Sequence, residues 1–365
     1  MPDTHAIPDP HPPADLIPIG AFARRSGLTA SALRFYDDSG LLRPANVDAA
    51  SGYRYYHADQ LERAVAVRRL RGLEMPLPVV ENVLATDPAH AARLIDEHVA
   101  SLSTRADEAR RAAVGIKAAL TGTDAVPVAT VKGHVLAAAI DQVLVATGES
   151  DEHPAISGVH IESGPEALTL VATDRYRLSI RTLVPDETLG AEWAGTLDGA
   201  DLRSVLGELR RRHVVQLEAL PDALRFRARE SALHCRLASG RFPDHRALSA
   251  AVAPPVTRVV VAKASLLAAL EATDDETVRL RARPDHLALA SPDGAEQASV
   301  DAVVDGPDAE VWFGVTVLHP AVATAIGPDL MLDVRGPNEP VTVRSADHGD
   351  LATLAMPVEP PLDQA

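Results

Sequence analysis

Ile19-Gly20-Ala21-Phe22-Ala23-Arg24-Arg25-Ser26-Gly27-Leu28, followed at once by Thr29-Ala30-Ser31-Ala32-Leu33-Arg34-Phe35-Tyr36, is the stretch on which the reading of this 365-residue chain turns. Its apolar residues recur at helical spacing up to Ser26, where a Ser-Gly pair stops the helix. Thr29 is a good N-cap for a second helix, in which Ala32, Leu33 and Phe35 or Tyr36 reach a core while Ser31 and Arg34 face outward, until Ser39-Gly40 ends it. Two short helices joined by a tight glycine turn form the unit that reads DNA in the major groove.

Residues 46–56 alternate around Ser51-Gly52 and end in Gly52-Tyr53-Arg54-Tyr55-Tyr56, the pattern of a β-hairpin carrying cationic and aromatic side chains. Asp59 then caps a helix running through Leu61, Val65, Val67 and Leu70, and Pro76-Leu77-Pro78 starts another. Ile-Gly-x-x-Ala-x-x-Ser-Gly, Leu33-Arg34-Phe35-Tyr36, Gly40-Leu41-Leu42-Arg43-Pro44 and Gly52-Tyr53-Arg54-x-Tyr56 together resemble the signature of the MerR family of transcription regulators. The resemblance covers residues 18–86 and implies an all-α winged helix-turn-helix. It implies Thr29, Ser31 and Arg34 on the recognition helix, with Tyr36, Tyr53 and Arg54 as backbone-contacting residues of helix and wing. The same aromatics, taken singly, are ordinary core residues, and the arginines a solvated face.

Residues 87–123 place Ile95, Val99, Leu102, Ala106, Ala109, Ala113, Ile116 and Leu120 at 4-3 spacing, the seam of a coiled-coil dimerisation helix. The resemblance implies an antiparallel helix pair joining two protomers, and hence a homodimer reading double-stranded promoter DNA at an inverted repeat. It further implies activation of RNA polymerase by twisting an overlong promoter spacer.

The net charge of −16 argues against nucleic acid until it is divided along the chain. Residues 19–72 hold nine arginines against five acids, a balance of +4, which leaves −20 on the other 311 residues. A small basic module on an acidic body suits a DNA reader with a separate sensor. The single cysteine, Cys235, excludes an internal disulfide framework and a thiolate metal cluster. It reads as a small buried hydrophobe. The first 17 residues, rich in Pro, His and Asp, have no signal-peptide pattern and read as a disordered arm; no apolar run is long enough for a membrane, so a cytoplasmic, nucleoid-associated protein is expected.

From Val126 a new pattern begins: helix, short strands, helix, strands, over 100–120 residues, and it recurs after Thr257. The expected elements are helices 132–147, 200–212, 265–273 and 317–326, with strands such as 156–162, 167–173 and 176–183 between them. This is an α+β domain used twice, residues 126–250 and 256–359, with a tail at 360–365. Within it, Ala172-Thr173-Asp174-Arg175-Tyr176-Arg177-Leu178, Ser239-Gly240-Arg241-Phe242-Pro243-Asp244-His245-Arg246 and Ala355-Met356-Pro357-Val358 resemble, in order, three signatures of the bacterial DNA polymerase III β sliding clamp. The resemblance covers the family's second and third domains, with the MerR-type module in place of the first.

It implies a hydrophobic peptide pocket formed by Ile156, Thr173, Arg175, Tyr176, Arg177, Leu178, Pro243, Leu248, Leu354, Met356 and Val358. Two departures, Ala247 and Glu359 where the family often has arginine, imply a different partner preference. The helices that would face DNA in a ring carry few cations, which argues against a processive clamp. With no nucleophile, base and orienter set, no metal cluster, no cofactor motif, and His153, His160, His213, His234 and His319 scattered, an enzyme is not expected. The reading is therefore a MerR-type regulator whose clamp-like body senses a pocket ligand, either a clamp-directed cyclic peptide antibiotic or a clamp-binding peptide. The alternative is a replication or repair accessory factor that tethers a clamp-like module to DNA.

Overall fold

The computed structural model describes residues 16–360 apart from 122–124, 151, 190–191 and 230; residues 1–15 of the arm expected at 1–17 and residues 361–365 of the tail expected at 360–365 lie outside the described residues. Two compact units divide at residue 108, within the fifth helix.

In the first unit, α1 (Ile19–Ser26) ends on Gly27, whose φ of 72° is the left-handed conformation that closes the turn. A Cβ there would meet only the movable Arg68 guanidinium, at 2.8 Å, so it is the backbone conformation that favours glycine. Thr29 caps α2 (Ala30–Asp38), its Oγ1 accepting from the Ala32 amide at 3.0 Å. Residues 46–47 and 54–57 form the wing, and residues 16–18 add a third strand, Ile17 opposite Tyr56. Residues 16 and 17 therefore belong to the fold and not to the arm, because Ile17 extends the apolar face that packs on this core.

Helices α3 (Gln60–Gly72), α4 (Leu77–Ala85) and α5 (Pro88–Thr121) follow. Asp59 makes no side-chain cap for α3; Gln60 instead accepts from the His57 amide at 2.9 Å, fixing the wing to the helix start. The core gathers Phe22, Leu33, Tyr56, Val67, Met75 and Val80, and Phe22 stacks on Tyr56 at 4.4 Å. Such a pair contributes about 0.5–1.5 kcal/mol beyond the area it buries. Burial pushes the Tyr56 hydroxyl up to about 12, and it donates to the Leu33 carbonyl of α2.

The second unit repeats one motif twice. A strand (126–132), α6 (Gly133–Leu144), four main strands (159–163, 168–173, 177–183, 193–197), α7 (Gly199–Arg211) and three strands (214–219, 223–228, 231–236) make the first copy. After α8 (His245–Ala250), the strand 257–262, α9 (Lys263–Glu271), four strands (277–283, 286–290, 296–305, 309–314), α10 (Val315–Thr324) and three strands (329–334, 341–345, 351–355) make the second. The short pair 187–188 is an added edge. Helix α6 ends three residues before the expected 147, and a 3-10 turn at Pro154–Ser157 precedes a strand that starts at Val159 rather than 156. Inside that turn the Ile156 and Gly158 amides donate to the His153 and Ala155 carbonyls, which keeps them out of the ladder and delays the strand.

One sheet of twelve strands crosses both copies, and the crossing point is the antiparallel pairing of 351–355 with 177–183, Leu354 opposite Leu178 and Thr353 opposite Ser179. Leu351 joins the core of the first copy while Ala355 joins that of the second. Cys235 is fully buried.

At the crossing, the fully buried Ser179 Oγ and nearly buried Thr353 Oγ1 lie 2.9 Å apart. Ser179→Ala strands the Thr353 hydroxyl and is expected to destabilise the second unit by about 1–3 kcal/mol, whereas adding Thr353→Val recovers most of the loss. Urea unfolding of the single and double variants checks this; equal loss in both would show that the hydroxyl pair is not the source.

Candidate functional sites

On α2 the helical phase divides the sequence cleanly. Leu33 and Tyr36, three residues apart, face the core, whereas Ser31, Arg34 and Phe35 face solvent, Phe35 at 55% exposure and Tyr36 at 7%. The aromatic ring presented outward is thus Phe35, and Tyr36, expected as a backbone contact, is a core residue. Thr29 stands at the start of this face, engaged as the cap.

On the wing Tyr53 is exposed and packs edgewise near Tyr55, with ring centroids 5.3 Å apart. Arg54 is engaged by acids at the end of α2: its Nε donates to Asp37 at 2.6 Å and its Nη2 lies 3.6 Å from Asp38, stapling the wing to that helix. That hydrogen bond to Asp37 holds the guanidinium above its ordinary pKa.

In the second unit a cavity of about 390 Å³ lies where the two copies meet. The 3-10 turn delivers Ile156, the end of strand 168–173 delivers Thr173, strand 177–183 Leu178, the segment before α8 Pro243, α8 itself Leu248, and the last strand Leu354 and then Met356. Arg175, Tyr176 and Arg177 come from the turn between. Val358 is placed off the cavity, its amide donating to the Trp312 carbonyl at 2.9 Å. His153, Arg241, Val252 and Pro340, none of them expected from the sequence, also line the cavity. Arg241 stood inside a quoted signature word and was findable; Val252 and Pro340 lie in loops with no periodicity to expose them. Tyr176, Leu248 and Met356 are exposed at 62%, 52% and 37%, so the groove offers apolar surface to solvent.

The turn 174–177 is built on Asp174. Its Oδ1 accepts from the Tyr176 and Arg177 amides at 3.0 and 2.7 Å, and its Oδ2 takes the Arg177 Nε and Nη2 at 2.9 and 2.6 Å. Thr173 Oγ1 donates to the Arg177 carbonyl at 2.7 Å. The result forces Arg175 to φ 79°, a left-handed conformation that suits glycine at the first central turn position. Such backbone strain costs on the order of 1–3 kcal/mol.

Residues 17–87 match the family described as MerR HTH family regulatory protein. An uncharacterized HTH-type transcriptional regulator of Pseudomonas aeruginosa is 35% identical over 96 residues, 25% of this chain and 72% of that protein. The chain belongs to the MerR HTH family of regulatory proteins.

This MerR-family chain also carries residues 130–244 that match the central domain of the DNA polymerase III beta subunit. The beta sliding clamp homolog GriR of Streptomyces muensis is 30% identical over 133 residues, 33% of each chain. A Pseudomonas aeruginosa DnaN sliding clamp bound to griselimycin superimposes with a TM-score of 0.58 at 20% identity, covering 63% of this chain and 64% of that one. Matches to other curated clamps and regulators span as little as 14% and 32% of those proteins' length. The MerR-type regulator is thus fused to clamp-like domains.

Behind the cavity wall, Phe242 packs with Leu178 and Leu354 on one side and stacks on His160 at 4.9 Å on the other. His160 Nδ1 lies 3.0 Å from Thr196 Oγ1 and its Nε2 3.4 Å from Glu162; His245 faces the same carboxylate at 3.8 Å, which Arg246 also holds at 2.7 Å. Burial would raise the Glu162 carboxyl, but the Arg246 hydrogen bond and the neighbouring cations outweigh it and hold it below its ordinary range. Burial pulls both imidazoles below the ordinary 6.5.

A histidine whose folded pKa is depressed takes up its proton more readily when unfolded, so its contribution is intact above 6.5 and is lost as pH falls below that value. The melting temperature of the second unit is therefore expected to drop between pH 7.5 and 5.5, and His160→Gln with His245→Gln to flatten that slope. An unchanged slope in calorimetry would assign the pH dependence elsewhere.

Proposed function

We propose that this protein is a one-component transcription regulator: a homodimer that binds an inverted repeat in promoter DNA through the winged helix-turn-helix and reads a ligand through the clamp-like body. The observation that carries the reading is the apolar cavity of about 390 Å³ retained at the junction of two clamp-like copies in a chain that begins with a MerR HTH unit. Such a groove of Leu178, Leu354 and Met356 with a few polar anchors binds by burial. The ligand class is a clamp-directed compound, either a cyclic peptide antibiotic or a clamp-binding peptide, in line with the likeness to a sliding clamp that binds griselimycin and the kinship to GriR. Occupation would alter how the dimer twists the promoter spacer for RNA polymerase at the nucleoid.

The cations of the body support this over a DNA-sliding role. Arg203 donates to Thr147, Arg210 pairs with Asp141, Arg211 and Arg212 with Glu208, and Lys263 Nζ donates to the Ala325 carbonyl. Side chains so engaged leave little for phosphates. The apolar seam of α5, with Val99, Ile116 and Leu120 exposed, is the proposed dimer surface. The reading is tested by footprinting the native promoter with the full chain, with and without griselimycin; no protection in either state removes it.

The two wing and helix arginines are expected to behave differently. Arg34→Ala removes an exposed cation of the recognition helix and should lower the salt slope of promoter binding by about one. Arg54→Ala breaks the staple to Asp37 and should weaken binding through a loosened wing while keeping the slope. Fluorescence anisotropy across a salt series separates the two, and equal slope changes would place Arg54 on a phosphate. In the pocket, Met356→Ala should weaken griselimycin or peptide binding roughly 5-fold to 150-fold, the range for truncating a buried anchor, and leave ligand-free DNA affinity intact. Calorimetry showing full affinity in the variant would move the site.

A further inference from the structure

We infer that the clamp-like body acts on the DNA-reading unit through the back of α5: the last turns of that helix are seated on strand 231–236, with Gly115 as the gap that admits the His234 ring. The inference rests on the proposed reading of a ligand-sensing body and names the contact through which the signal leaves that body.

α5 is one helix, Pro88–Thr121, and its residues from Ala109 onward belong to the second unit. There its faces divide. Ile116 and Leu120 of the apolar seam are exposed at 59% and 81%. With 3.6 residues to the turn, Gly115 lies about 130° around the helix from the middle of that seam. It faces the first copy, where a Cβ built on it would sit 3.5 Å from His234 Cε1 and 3.8 Å from Nδ1. Two residues on, Lys117 Nζ comes within 4.0 Å of an Asp222 carboxylate oxygen. The body thus takes the back of the helix and leaves the seam open for a second copy. Glycine inside a helix is less favourable than alanine, and what it provides here is close approach, the ring resting on bare backbone. Burial, and then the Arg225 guanidinium on the paired strand, pull the His234 imidazole below the ordinary 6.5, so it packs against the helix as a neutral ring.

The strand that carries His234 is firmly held. Leu233 and Cys235 pack in the core of the first copy. Arg236 Nε and Nη2 donate to the fully buried Asp201 carboxylate of α7 at 2.8 and 2.9 Å, and the Arg236 amide donates to it at 3.0 Å. The Leu237 amide donates to the carbonyl of Asp222, the residue that Lys117 approaches. Further along the same segment, Phe242 packs behind the cavity wall and Pro243 lines the cavity. One fastened stretch, 233–243, therefore meets α5 at one end and the cavity at the other. Close-packed segments shift as bodies and transmit strain, so a displacement of the wall reaches the helix within this stretch.

The test uses the full chain and three variants: Gly115→Ala, whose single Cβ makes an ordinary contact with the ring; Gly115→Leu, whose side chain is too large for the gap; and His234→Ala, which removes the ring. Run-off transcription from the native promoter with RNA polymerase reads the response to griselimycin, while calorimetry and anisotropy read griselimycin and promoter binding. The parent and Gly115→Ala are expected to respond by about fivefold or more, the lower end of ordinary coupling, and Gly115→Leu and His234→Ala by less than about twofold with both affinities kept. A full response in the last two variants overturns the route. A parent that binds griselimycin and promoter without responding overturns it as well, whereas a parent that binds no griselimycin overturns the ligand reading beneath it. Hydrogen exchange without ligand separates the seat from helix propensity. Alanine and leucine both favour a helix over glycine, so propensity alone slows exchange of the α5 amides around residue 115 in both variants. A seated helix slows it in Gly115→Ala and speeds it in Gly115→Leu. Slowing in both overturns the seat itself, with or without a ligand.

Discussion

The pairing of residues 351–355 with 177–183 joins segments more than 160 positions apart, and the second unit is organised around it. It turns two copies of a motif into one twelve-stranded sheet, sets Leu354 across from Leu178, and carries the chain on so that the Met356 amide meets the Tyr176 carbonyl at 2.8 Å. A strand register has a period of two, so a slip by one residue would turn Leu354 and Leu178 away from the same face and dissolve the groove. The hydroxyl pair of Ser179 and Thr353 gives the register a polar lock in an apolar setting.

The DNA-reading unit depends on a smaller version of the same economy. Tyr56 of the wing stacks on Phe22 of α1 and donates to the Leu33 carbonyl of α2, so one buried side chain ties three elements. Arg54 and Gln60 add ties at the surface, to Asp37 and to the His57 amide. A wing held in this way keeps Tyr53 and the exposed face of α2 in a fixed relation, which recognition of a rigid duplex requires. The basic balance of this unit is then available to phosphates through the arginines that lack acidic partners.

Behind the groove the histidine cluster has a structural meaning beyond its titration. Phe242 is shared between the cavity wall and the stack on His160, so the pocket's shape is continuous with a group of polar residues held around Glu162. Three cations or potential cations surround that single carboxylate, and its ionised state is the one the arrangement favours.

How much was legible in the sequence differs by element and for physical reasons. The helix-turn-helix, its Thr29 cap and Gly27 stop, the long α5 and the twofold motif of the body are local matters of periodicity, capping and turn chemistry, and those are written along the chain. The face of α2 was legible down to Leu33, but not the choice between Phe35 and Tyr36, which neighbours in sequence cannot make and the core of Phe22, Tyr56 and Val67 does. Residues 16–17 looked like an arm because the three-residue strand 16–18 carries too little pattern, and only pairing with 55–57 makes it a strand. Most of the pocket residues were named through a family resemblance, yet Val358 fell outside and Arg241, His153, Val252 and Pro340 fell inside, since a cavity between distant segments has no signature in either one. The sequence by itself therefore determined the elements, their order and the charge division between a basic reader and an acidic body. The tertiary structure alone decided which side chains share a wall, that Arg54 is tied to Asp37, and that Arg175 is held at a positive φ, because each depends on contacts closed across the chain.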